Sequence, residues 1–163
     1  MIFTPHIIVG AAIGAKTHNL GLIIILGLLT HFILDKVPHW DYNLPAVFRE
    51  FRENKKIKPL ISDFVKMAID ITIGLLIVFI IIWSRNLLNF NYLFFISIGI
   101  IISILPDVVF GFVYLIPGKA ARKINKIGEF FHCKNKEKEG KITLLNISTQ
   151  ILIIIVSIII LFS

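Results

Sequence analysis

The sequence predicts an all-α fold, a polytopic helix bundle set in a membrane, and three observations carry that prediction. Hydrophobic residues make up 56% of the 163 positions, with a mean hydropathy of +0.87. They gather in blocks close to the ~20 residues that cross a hydrocarbon core. The third observation is where the charge lies. Of 17 Lys and Arg residues, 14 fall in two segments between blocks, residues 36–58 and 119–141. The net charge of +7 therefore reports membrane topology and contact with anionic headgroups, and it argues against nucleic acid.

Thr4-Pro5 starts the first element well, a Thr cap with Pro at the first helical position, and the apolar run continues to about Lys16. Its Gly10-Ala-Ala-Ile-Gly14 face suits close helix contact. Twelve residues rise only about 18 Å, so the element is expected to be re-entrant or to sit in thinned bilayer. The second block, Asn19 to Asp35, must end before Pro38, which removes a backbone donor and pushes Val37 out of the α region. His39, Trp40 and Asp41 then form an interfacial turn.

From Pro45 to Lys55, Val47, Phe48 and Phe51 share one face and charged residues the other, the pattern of a short interfacial helix. The third and fourth blocks run from Leu60 to Ser84 and from Phe90 to Ile116, the latter interrupted at Leu105-Pro106-Asp107. Ala120 to Phe131 repeats the amphipathic pattern, and Ile142 to Phe162 closes the chain. No internal repeat appears; residues 1–163 form one membrane domain of four to five membrane helices, the first short, plus short interfacial helices. No cleavable signal peptide is evident in Met1-Ile-Phe-Thr-Pro5. A lone Cys133 excludes an internal disulfide.

Depth is the informative feature of the ionisable residues. With the basic segments cytoplasmic by the positive-inside rule, His6 starts the first element on that side, and His31 and Asp35 end the second there. Asp63 and Asp70 lie in the first half of the third block, and Asp107 in the last third of the fourth. A central membrane charge costs about 2.5–3.5 kcal/mol on insertion scales. Four aspartates thus need partners, and a divalent ion is an efficient one. The i, i+4 spacing of His31 and Asp35 aims an imidazole and a carboxylate at one point, although an intrahelical hydrogen bond satisfies the same spacing. The turn after Pro38 can fold His39 and Asp41 toward that point.

Pro106 frees the carbonyl of Ile102 beside Asp107, which suits a site or a plain kink. Asp63, Lys66 and Asp70 share a stripe that also reads as a self-neutralising ladder. Thr143, Asn146, Gln150 and Ser157 read as helix-packing hydrogen bonds. His132 has the weaker claim of a loop histidine, and His18 is on the wrong side.

The stretch HFILDKVPHWD, residues 31–41, resembles the His-Phe-x-x-Asp-x-x-x-Pro-x-His signature of zinc-dependent phospholipases C and fungal single-strand nucleases. His31, Phe32 and Asp35 match in place; Pro38 and His39 come one and two residues early, and the N-terminal zinc-binding Trp of those enzymes is absent. More of the chain is similar to small bacterial and archaeal membrane proteins identified as predicted metal-dependent hydrolases. Thr-Pro-His6, the His31 to Asp41 run, Leu-Pro-Asp107, Phe-His132 and a last helix with Gln150 carry that similarity.

The combined expectation is a hydrolase of the prokaryotic inner membrane, its N-terminus cytoplasmic, acting on a phosphate ester or lipid-linked headgroup. His6, His31, Asp35, His39 and Asp107 would hold zinc or manganese, Asp41 or Asp70 would serve as general base, and Lys119 and Arg122 would meet the phosphate. The alternative is a transport or scaffold protein whose buried acids carry ions or specify packing. Sparse charge in the outer halves of the third and fourth blocks argues against a through-pore.

Overall fold

The computed structural model describes residues 1–41, 51, 53–54, 57–86, 88–116, 118–131 and 143–163. Six α-helices are described: α1 (Phe3–Thr17), α2 (Leu20–Lys36), α3 (Ile57–Ser84), α4 (Phe90–Leu115), α5 (Lys119–Phe131) and α6 (Leu144–Phe162). The fold is all-α, and the described residues contain no strand. Most of the interfacial helix expected over Pro45 to Lys55, together with His132 and Cys133, lies outside the described residues.

Among the described residues, three helices are long and apolar enough to cross a membrane: α3, α4 over Phe90–Tyr114, and α6. The 17 residues of α2 rise about 26 Å and the 15 of α1 about 22 Å, both short of a ~30 Å core. Burial is inverted relative to a water-soluble domain. Ile80 is 64% exposed and Ile25 62%, while His6 is 0% exposed and His31 and Asp35 are each 1%. Apolar side chains on the outside are what a lipid solvent selects.

The centre of the bundle is α1, which packs against α2, α3, α4 and α6. Its Phe3, Ile7, Ile8, Ala11, Ala12 and Ala15 meet Val78, Ile81 and Ile82 of α3, Ile96 of α4 and Leu161 of α6 in the apolar core. Glycine makes the α1–α4 crossing possible. A Cβ on Gly10 would lie 2.4 Å from the Gly99 carbonyl oxygen, and one on Gly99 would lie 2.1 Å from that of Gly10. Only bare backbones fit there.

Two sequence expectations about helix ends need correction. The N-cap of α1 is Ile2 and makes no side-chain cap, so Thr4 lies inside the helix and does not precede it. Its free N–H groups are taken instead by a carboxylate from α3, as described below. Pro106 also leaves α4 unbroken, since the helix runs continuously from Phe90 to Leu115. In a membrane helix a missing donor is tolerable; Pro106 leaves the Ile102 carbonyl without its helical donor, and the next carbonyl, that of Ser103, meets the His31 ring.

Candidate metal centre

The first turns of α1, the last turns of α2 and the C-terminal third of α4 meet at one end of the bundle. His6 on α1 and His31 on α2 stack with ring centroids 4.5 Å apart. His31 Nδ1 lies 2.8 Å from the carbonyl oxygen of Ser103, a turn before Pro106. Because that carbonyl can only accept, Nδ1 carries the proton and Nε2 turns its lone pair into the cluster.

Distances place four groups around one small volume. His6 Nε2 is 3.3 Å from Asp35 Oδ1 and 4.0 Å from Asp107 Oδ2. His31 Nε2 is 3.3 Å from Asp35 Oδ2 and 3.7 Å from Asp107 Oδ1. Ligands about 2.1 Å from a tetrahedral ion stand roughly 3.4 Å from one another, so these separations suit a shared cation. His6, His31 and Asp107 each offer a ligand atom, and the three atoms lie within 4.8 Å of one another. This group could hold a metal ion.

Unsatisfied atoms point the same way. His6 Nδ1 and Nε2, His31 Nε2 and Asp107 Oδ2 are buried with no hydrogen-bond partner among the described residues. Each such atom costs about 1–3 kcal/mol if left unmade. A bound cation would satisfy three of the four, which is a physical reason for a bundle to keep them together.

Asp35 also faces the Met1 ammonium. Met1 is buried, and its α-ammonium donates to Asp35 Oδ1 at 2.9 Å and to Asp41 Oδ2 at 3.0 Å. Burial alone would strip this ammonium of its proton. Asp41, Asp35 and Asp107 outweigh that effect and raise its pKa to about 11. Burial likewise pushes the Asp41 carboxyl up, but the Met1 ammonium and His39 hold it below the usual carboxylate range.

The turn after Pro38 brings His39 and Asp41 beside the cluster without placing His39 in the group of three. His39 Nδ1 lies 2.7 Å from the Val37 carbonyl, and its Nε2 stands 3.8 Å from Asp41 Oδ2. What fixes this turn is α6. Gln150 Nε2 donates to the Trp40 carbonyl at 2.6 Å, and Thr149 Oγ1 donates to that of Pro38. The sequence suggested helix packing for Gln150; the side chain in fact holds the segment that carries His39 and Asp41.

Asp70 has a different place from the one its sequence position suggested. Its Oδ2 accepts from the backbone N–H groups of Phe3 at 2.6 Å and Thr4 at 3.3 Å, and its Oδ1 accepts from Thr4 Oγ1 at 2.6 Å. Thr4 Oγ1 also lies 2.9 Å from the Asp70 carbonyl. Both carboxylate oxygens are thus engaged in capping α1 from α3. Asp63 pairs with Lys66 at 2.7 Å, as the ladder reading anticipated. Lys119 and Arg122 are exposed on α5 and line a groove with Lys123 and Lys126.

Fold and site together define an all-α protein with membrane-spanning helices and a buried His/Asp cluster able to hold a metal ion. Comparison of the chain with family models, with curated proteins and with solved structures gave no match.

Proposed function

We propose that the protein is a membrane-embedded, metal-dependent hydrolase acting on a phosphate ester or lipid-linked headgroup at the cytoplasmic face of a prokaryotic inner membrane. The observation that carries the proposal is the convergence of buried ligand atoms without hydrogen-bond partners on His6, His31 and Asp107. Asp35, within 3.3 Å of both histidines, completes the set. Two imidazoles with carboxylates favour zinc or manganese over calcium, which prefers all-oxygen sites. The ion would supply Lewis acidity and a lowered pKa for water.

The chain's own residues would do the rest. Ser103 fixes the His31 ring through Nδ1, leaving Nε2 as the ligand atom. Asp41, partly exposed at the edge of the cluster, is the candidate general base by position; the Met1 ammonium that lowers its pKa also weakens it as a base, so the role rests on placement. Asp70 serves by holding α1, and so His6, in register. Lys119 and Arg122 would face the phosphate of a substrate lying at the interface.

One observation favours the competing, purely structural reading: the Met1 ammonium already neutralises part of the acidic charge. Elemental analysis of detergent-purified protein separates the two. The hydrolase reading expects near-stoichiometric zinc or manganese in the wild type, its loss in His31→Ala and Asp35→Ala, and turnover on a panel of phospholipids and isoprenoid phosphates. Folded, metal-free wild-type protein would end it.

A further inference from the structure

We infer that the groove on α5 is a binding site for phosphomonoester or diphosphate groups, built by Lys119, Arg122, Lys123 and Lys126. The inference deepens the substrate side of the proposed hydrolysis, and it rests on that reading only for what becomes of the phosphate once bound. The four residues stand at i, i+3, i+4 and i+7, which places them on one helical face. Among the described residues these four line a groove of about 320 Å³, at the small end of the range for ligand sites.

Local physics argues that this arrangement is unfavourable without an anion. Four like-charged neighbour pairs, Lys119 with Arg122 and Lys123, and Lys126 with Arg122 and Lys123, repel along the helix. None of the four cations is ion-paired among the described residues. The first turn of α5 contains no acidic residue and begins with Lys119, so cations stand at the positive end of the helix dipole. A sequence that breaks two helix rules at one end is expected to be compensated by something bound there.

The helix is also docked, which distinguishes it from a loose basic tail. Ala121 is buried, and Gly128 sits on Phe110 of α4, where an added Cβ would come within 3.0 Å of the ring. Lys36, beside Asp35 at the end of α2, donates to the Phe130 carbonyl and lies 4.6 Å from that ring's centroid. The C-terminal end of α5 is thereby fixed to the two helices that carry Asp35 and Asp107.

Charge selects the ligand class. A phosphomonoester carries about −1.5 to −2 at pH 7, against −1 for a diester such as phosphatidylglycerol. Four cations in so small a groove match the higher charge, and Arg122 adds a planar fork for two phosphate oxygens. Lipid headgroups and soluble phosphate esters share this chemistry.

The test uses the full chain in two settings. In neutral detergent, inorganic pyrophosphate is titrated by calorimetry; in phosphatidylcholine nanodiscs, phosphatidic acid is compared with phosphatidylglycerol at equal total charge. Pyrophosphate binding without a preference for phosphatidic acid identifies a soluble ester, and a preference for phosphatidic acid identifies a lipid headgroup; either supports the site. Lys123→Gln/Lys126→Gln should weaken binding by at least about tenfold, one charged hydrogen bond per residue, while Lys123→Arg/Lys126→Arg keeps it. Binding should survive removal of metal with a chelator, so that failure of the hydrolase reading leaves this site standing. Equal binding of both lipids with no pyrophosphate titration, no effect of the double Gln variant, or loss of binding with the metal would each overturn it.

Discussion

Asp70 shows best how a residue's role escapes the sequence. Its i, i+7 offset from Asp63 and its neighbour Lys66 suggested a charge ladder or a base. Neither position says that the N-terminus of α1 lies opposite, because 66 residues separate Asp70 from Thr4. His31 and Asp35 are the reverse case: both lie on one turn of one helix, so their convergence needed no tertiary knowledge. The turn from Pro38 to Asp41 falls between, since Pro38 marks the break but only Gln150 and Thr149 fix where the turn goes. Removing the trans cap should be costly. Asp70→Ala strands the Phe3 and Thr4 N–H groups, while the Thr4 hydroxyl keeps the backbone carbonyl of residue 70, and a loss of about 2–4 kcal/mol is expected in reversible unfolding in detergent. Asp70→Asn keeps one acceptor oxygen and should recover about half. If the cluster holds the proposed ion, its affinity should fall in the same order, because His6 is only two residues beyond Thr4.

At the scale of helices, the α1–α4 crossing was half readable. Gly10 and Gly14 announced a close contact on α1, but nothing in the sequence named Gly99 and Phe95 as what they meet. The proline in α4 misled in the other direction, since a break was expected and a continuous helix formed. The contact near it is a local one: the Ser103 carbonyl meets His31 Nδ1. Two glycines on the same helix give a paired prediction. Gly99→Ala puts a methyl group 2.1 Å from a backbone oxygen, so α1 and α4 must separate, at a cost of about 1–3 kcal/mol or more. A Cβ on Gly111 meets nothing within 4 Å, and Gly111→Ala should change stability by less than about 1 kcal/mol. Thermal aggregation in one detergent compares the two directly. Similar midpoints would refute the crossing as the reason for the glycines.

At the scale of the whole molecule, the direction of the helices ties the His/Asp cluster to the basic segments. His6 lies at the start of α1, His31 and Asp35 at the end of α2, Asp107 toward the end of α4, and Gln150 near the start of α6. Those ends flank the two segments that hold 14 of the 17 basic residues. The other end of the bundle has His18 as the C-cap of α1, its ring 4.7 Å from Tyr92, and exposed Trp83 and Phe90. Lys and Arg near span ends are retained on the cytoplasmic side, so the cluster is expected to open toward the cytoplasm. A cysteine at Lys136 should then be shielded from a membrane-impermeant maleimide in intact cells, and one at Ser163 should be labelled, both in a Cys133→Ser background. Permeabilisation should make the first reactive without changing the second. Labelling of the Lys136 position in intact cells would invert the orientation and with it the side from which any substrate reaches His31 and Asp107. The helix arrangement would stand, because the core of α1, α3, α4 and α6 does not depend on which way the bundle faces.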